Sequence, residues 1–243
     1  MIKDKLIIDN IPSILWGDKS EKLFIAIHGN MSNKEDDVIS LFAEEATAKG
    51  YRVLSFDLPE HGDRNNEKYA CTVQNCIHDL KNIMNFAWKQ SDEISIFACS
   101  IGAYFSLLAY RDFPIEQCLF LSPILNMERI IQNMMTCFGV SEEMLESEKE
   151  IMTPIGQPLI WDYYRYVKSH PIDIWDTQTA ILYGSGDDLS EFDVVTEFSD
   201  KFGCNLTVLN NGEHYFHSEE QLQFFRHWLK EYIGLNKQSK QEI

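Results

Sequence analysis

Between Leu23 and Ile233, short apolar runs alternate with stretches whose apolar positions recur at helical spacing. Leu23-Phe24-Ile25-Ala26-Ile27 has no polar interruption, as a strand covered on both faces requires, and it ends at His28-Gly29-Asn30. Ser32 and Glu35 have the spacing of a capping box, which predicts a helix through Val38, Leu41, Phe42 and Ala46 that stops at Gly50. Tyr51 to Phe56 reads as the next strand, and Asp57-Leu58-Pro59-Glu60-His61-Gly62-Asp63 as its exit loop. A helix is predicted from about Thr72 to Lys89, with Ile77, Leu80, Met84 and Trp88 on one face. The run Glu93 to Phe97 is a strand, Tyr104 to Tyr110 is helix-like, and Cys118 to Leu121 is a strand ending at Ser122-Pro123.

Ala180 to Tyr183 and Asn205 to Leu209 supply two further strands, with a helix from about Ser190 to Phe202 between them, closed by Gly203. A last helix starts at Ser218 with Gln221 as capping partner, carries Leu222, Phe225, Trp228 and Leu229, and ends at Gly234. Leu6-Ile7-Ile8 and Ile14-Leu15-Trp16 read as short strands extending one sheet edge, and the polar tail 236–243 as a frayed end. Strands joined by helices imply an α/β protein with a doubly wound, mostly parallel sheet. The expected division is a core of 1–123 and 178–235, interrupted by a helical cap at 124–177. That segment breaks the alternation with helix-like pieces at Met127–Phe138 and Ser141–Ile151, then Pro154, Gly156 and Pro158. Its aromatic residues Trp161, Tyr163, Tyr164, Tyr166 and Trp175 either form the cap's own core or, for Trp161, Tyr163 and Tyr164, line an acyl or aryl pocket.

At 243 residues the chain can bury one large core without disulfides or metals to staple it. The net charge of −17 leaves no cationic stripe to displace counterions, which excludes nucleic acid as an expected partner. No apolar run reaches the roughly 18 residues of a membrane span, and the first residues lack a signal-peptide apolar core. Cys71, Cys76, Cys99, Cys118, Cys137 and Cys204 show no Cys-x-x-Cys spacing, and they read as reduced thiols of a cytoplasmic protein. The glutamates at 142, 143, 146, 148 and 150 form a solvated helix face.

In open α/β sheets ligands bind beyond the carboxyl ends of the strands. Asn30, the Asp57–Asp63 loop, Ser100, Asp187 and His214 all fall at such ends. The most informative is Ala98-Cys99-Ser100-Ile101-Gly102, a serine between strand and helix with small residues two before and two after it. A nucleophile elbow needs that smallness, because strand and helix approach closely there. It leaves the Ile101 N–H at the helix start free to meet a developing oxyanion. The competing reading is a serine that merely caps a helix.

The chain resembles the α/β-hydrolase superfamily over Leu23–Ile233 outside the cap. The resemblance rests on His28-Gly29-Asn30, Asp57-Leu58-Pro59-Glu60-His61-Gly62, the elbow with Ala98 in place of its usual Gly, Gly184-Ser185-Gly186-Asp187 and Gly212-Glu213-His214. It implies Ser100 as nucleophile, His214 as base and Asp187 as its orienting acid, in the family's chain order. It adds the Asn30 N–H as second oxyanion donor, with Met31 beside it at the pocket, and has His28 and His61 brace the loops. Asp188 and His217 are the close rivals of Asp187 and His214. The haloalkane dehalogenase branch shares His-Gly-Asn, but like the epoxide hydrolases it needs an aspartate where this chain has Ser100. His214 and His217 lack a third ligand for a metal, Gly184-x-Gly186 lacks the third glycine of a dinucleotide site, and no cofactor is expected. The expected activity is cleavage of a small carboxylic ester or thioester, with amide or peptide cleavage as a variant. The alternative is a ligand-binding or sensor protein on the same scaffold with little turnover. Acyl length, leaving group and oligomeric state are not encoded in these motifs.

Overall fold

In the computed structural model, which describes residues 1–235, the chain opens with the antiparallel pair β1 (Lys3–Ile8) and β2 (Ile11–Trp16). Asp9 and Asn10 between them both have positive φ, as a two-residue hairpin loop demands. The tail 236–243, expected to fray, lies outside the described residues. β3 (Lys22–Ile27) leads to α1 (Asp37–Ala48), and β4 (Arg52–Phe56) to α2 (Val73–Ala87). β5 (Glu93–Cys99) runs directly into α3 (Ile101–Ala109), followed by β6 (Cys118–Leu121).

Two helix details differ from the sequence pattern. The cap of α1 is Asp36, whose carboxylate accepts from the Ile39 amide at 2.9 Å, while Ser32 donates to that carboxylate instead of capping the helix itself. Burial pushes the Asp36 carboxyl up to about 6, helped by neighbouring Asp37. On α2 the buried stripe is Val73, Cys76, Leu80, Ile83, Met84 and Ala87, and Trp88 lies at its exposed edge against Phe113.

After β6 come α4 (Met127–Cys137) and α5 (Glu142–Glu148). An antiparallel pair, β7 (Glu150–Met152) and β8 (Pro158–Ile160), then stands where only helix and loop were expected, with Ile151 in the first strand. It leads to α6 (Trp161–Ser169). The chain then returns through β9 (Thr179–Gly184), α7 (Phe192–Phe202), β10 (Asn205–Leu209) and α8 (Glu219–Tyr232).

The main sheet has the order β1-β2-β4-β3-β5-β6-β9-β10, parallel from β4 to β10, with the β1–β2 hairpin antiparallel at one edge. Helices cover both faces, as a doubly wound sheet requires. One face packs Phe24, Phe97 and Leu182 against α1 and α8. The other packs Ile25, Ile96, Ala98 and Phe120 against α2, α3 and α7. The strand order places the ends of β3, β5 and β6 side by side at the centre, with β9 and β10 next to them.

Candidate active site

Ser100 is the only residue between β5 and α3 and holds φ 49°, ψ −120°, a conformation that costs an L-residue of order 1–3 kcal/mol. The elbow is fixed on both sides: the Ser100 amide donates to Leu121 O at 3.1 Å, and the Ile124 amide donates to Ser100 O at 3.1 Å. A Cβ on Gly102 would lie 2.5 Å from His28 O and 2.8 Å from Ile27 Cγ2, so only glycine lets α3 start this close to β3. Ala98 is fully buried beneath the turn, and its small side chain meets the same demand as the glycine usual there. Cys99 lies on the sheet face of α1 and α8, opposite to Ala98, and burial pushes its thiol well up.

Ser100 Oγ lies 2.8 Å from His214 Nε2, and His214 Nδ1 lies 2.7 Å from Asp187 Oδ2. A carboxylate accepts only, so Nδ1 carries the imidazole proton and Nε2 is left to accept from the Ser100 hydroxyl. The second Asp187 oxygen accepts from the Leu189 and Ser190 amides at 2.9 and 2.8 Å, which locks the carboxylate plane. The Asp187 side chain is fully enclosed, whereas His214 keeps 18% exposure, so the imidazole is reachable and the carboxylate is not. Two glycines hold the Asp187 and His214 loops together. A Cβ on Gly184 would run into the Gly212 carbonyl, and the Gly186 amide donates to Gly212 O at 2.7 Å.

The rivals stand apart. Asp188 is exposed, and α7 starts at Glu191 without a side-chain cap. The exposed His217 points to Tyr215 O at 2.9 Å and Glu213 Oε2 at 3.4 Å and stacks on the Tyr215 ring.

Gly29 presses on the elbow, since a Cβ there would stand 3.1 Å from Ser100 Cβ, and this brings the Gly29-Asn30 backbone beside the candidate nucleophile. The Leu58 amide donates to His28 Nε2 at 3.0 Å, so the His28 proton sits on Nδ1 and is given to Gly29 O at 2.7 Å. Burial pushes His28 down to about 4, which keeps it neutral while it ties the ends of β3 and β4. His61 donates from Nδ1 to Pro59 O at 2.7 Å, and its Nε2 lies 3.0 Å from Asn30 Oδ1.

Beneath these loops is an ion pair that no sequence pattern signalled. Lys34 Nζ lies 2.5 Å from Asp57 Oδ2 and 2.7 Å from Asp63 Oδ2, with Lys34 and Asp57 both buried. Asp57 also accepts from the Lys34 and Asp63 amides, each at 2.9 Å. Gly62 is required beside it, because a Cβ there would overlap the Asp57 carboxylate.

The candidate pocket residues separate. Met31, at φ 58° and 93% exposed, projects from the loop after Asn30. Tyr163 is half-buried, and burial together with Tyr104 of α3 pushes its hydroxyl well up. Trp161 is also half-buried, packed 6.1 Å from the Tyr164 ring. Tyr164 does not join them: it is buried and donates to Glu142 Oε1 at 2.7 Å, so it packs α6 against α5. Trp175 is likewise core, donating to Thr179 Oγ1 at 2.8 Å beneath β9.

The chain matches no protein-family model and no curated protein sequence. Among solved structures it is similar to Est1E from Butyrivibrio proteoclasticus, seen with ferulic acid bound, at TM-score 0.75 and 20% identity over 95% of this chain and 97% of that one. The chain has the α/β-hydrolase fold. That fold is shared with alpha/beta hydrolase domain-containing protein 10 from mouse, at TM-score 0.76 and 14% identity over 96% and 98% of the two chains. An esterase from Pyrococcus furiosus matches at TM-score 0.66 and 20% identity over 96% and 91%. In the α/β-hydrolase fold of this chain, the parallel strand ends carry Ser100, Asp187 and His214 to a single rim.

Proposed function

We propose that this chain is a serine hydrolase that cleaves a small carboxylic ester or thioester through an acyl-enzyme on Ser100. The observation that carries the reading is the continuous hydrogen-bonded chain from Ser100 through His214 to the enclosed Asp187, with Ser100 held in a strained turn. A serine that only caps a helix bonds its own first-turn amides, and Ser100 makes no such bond. Esterases among the similar folds support ester cleavage.

In this mechanism His214 Nε2 takes the Ser100 proton as Oγ attacks the substrate carbonyl carbon. Asp187 holds the tautomer and stabilises the imidazolium. The oxyanion accepts from the Ile101 and Asn30 N–H groups, and each missing donor costs about 3–4 kcal/mol. Collapse expels the alcohol or thiol, protonated by His214. Water activated by the same imidazole then releases the acid and restores Ser100. Segment 124–177 serves as the cap over this rim, with Tyr163 and Trp161 as its pocket-lining residues and Met31 contributing from the oxyanion loop. No cofactor enters any step. The six free cysteines suit a cytoplasmic setting.

The test is a fluorophosphonate probe read by intact mass. One adduct is expected on the folded protein and none on Ser100→Ala. A folded wild type that takes up no probe overturns the reading.

A further inference from the structure

Cys71 and Cys76 flank the first turn of α2, and the proposed ester chemistry uses neither. Thr72 caps that helix by accepting from the Asn75 amide at 3.2 Å, so Cys71 stands just before the cap and Cys76 at the fourth helical position. These are the two positions at which an apolar pair ordinarily clasps a helix start. Here the clasp consists of thiols, with the sulfurs 3.6 Å apart. The backbone is held in place on the far side, where the Cys71 amide donates to Glu60 Oε2 at 2.7 Å. Cys76 is fully buried, whereas Cys71 is only partly covered. The His61 imidazole acts on the Cys71 thiol electrostatically, favouring its thiolate, and its Nε2 lies 3.0 Å from Asn30 Oδ1.

We propose that Cys71 and Cys76 are a peroxide-oxidisable dithiol that closes a reversible disulfide across the start of α2, beside His61. The hydrogen bond from Cys76 and then the His61 imidazole pull the Cys71 thiol down against its burial, while burial pushes Cys76 well up. Cys71 is therefore the attacking thiolate and Cys76 the resolving thiol. The Cys71 sulfur attacks a hydroperoxide, the O–O bond breaks, and the leaving oxygen takes a proton and departs as an alcohol or water. Cys76 then attacks the Cys71 sulfenic sulfur; the S–S bond forms, and hydroxide leaves with the Cys76 proton as water. The two sulfurs together supply the two electrons that reduce the peroxide. The sulfurs must close from 3.6 Å to about 2 Å, a movement within reach of side-chain rotation at adjacent clasp positions.

The same contact links the pair to the rim. Closing the disulfide removes the Cys71 thiolate that favours a charged His61 and so loosens the contact of His61 with Asn30; ester cleavage then falls severalfold, a clause that rests on the function proposed above.

The full chain is treated with hydrogen peroxide, blocked with N-ethylmaleimide and digested with trypsin. Cys71 and Cys76 lie in one tryptic peptide, Tyr69–Lys81. Its expected form is unalkylated and lighter by two hydrogens, and dithiothreitol restores it. In Cys76→Ser the oxidation stops at a sulfenic acid on Cys71 that dimedone traps, and in Cys71→Ser Cys76 stays a thiol. Both cysteines alkylated after peroxide, or the exposed Cys137 oxidised ahead of Cys71, would overturn the dithiol. This mass readout stands whether or not the chain cleaves esters. If the disulfide forms and the ester rate is unchanged, the link through His61 to Asn30 is overturned.

Discussion

Gly102 meets the carbonyl of His28 so closely that a Cβ would sit 2.5 Å from that oxygen. The start of α3 and the end of β3 therefore touch backbone to backbone, and that contact sets the distance from Ser100 to the Gly29-Asn30 loop. Gly102→Ala must push the two apart. The expected cost is about 1–3 kcal/mol of stability, together with a loss of ester cleavage larger than the change in folding explains. Urea unfolding and kcat/KM on p-nitrophenyl acetate check it; a variant indistinguishable from wild type in both would refute the argument.

The proposed relay predicts a sharp contrast between neighbours. Asp187→Asn should lower kcat by about 10⁴-fold, because the amide holds His214 in the wrong tautomer. His214→Ala should be at least as damaging. Asp188→Asn and His217→Ala should stay near wild type, since both side chains face solvent away from Ser100. A dead His217→Ala beside an active His214→Ala would reassign the base.

His28 makes stability depend on pH. Burial holds its folded value at about 4, below the ordinary histidine value of about 6.5, so the unfolded chain binds the proton first as pH falls. Stability is therefore complete above about 6.5 and is lost as pH drops towards 4, by on the order of 3 kcal/mol from this group. Asp36 works in the opposite sense over much of that range, because its raised carboxyl favours the folded state at lower pH. The reading is therefore the difference between wild type and His28→Gln across pH, expected to flatten in the variant. If His28→Gln does not fold, histidine NMR of the wild type serves instead, with one ring titrating near 4.

Lys34 and Asp57 stand as an enclosed pair with a second carboxylate at the rim. Lys34→Met strands the Asp57 charge and should cost about 3–5 kcal/mol, far more than loss of a surface ion pair. The double variant Lys34→Met with Asp57→Asn should recover much of that loss, because no buried charge is left alone. Denaturant midpoints decide it, and additive losses would argue against the coupling.

The central strands were legible because each is covered on both faces and so reads as an unbroken apolar run, as in Leu23–Ile27. Ser100 was legible because its turn admits only small neighbours. The start of α1 was misplaced because Ser32 and Glu35 match a capping pattern, while tertiary burial selects Asp36 instead. β7 and β8 are three residues each around Pro154 and Gly156, too short for any period to appear. Tyr164 and Tyr163 are adjacent on one helix and chemically alike, and only the position of Glu142 separates their roles. The Lys34–Asp57 pair joins positions 23 apart through folding alone, so nothing local announces it.

Because the turns bearing Asp187 and His214 abut at Gly184 and Gly212, they form a single platform. A length change in either loop would drag Asp187 and His214 together away from Ser100 instead of parting them. In the proposed hydrolase, variation that retunes substrate choice without disturbing proton transfer is accordingly confined to parts of the chain not anchored to that platform, and the long excursion between β6 and β9 is the largest of these.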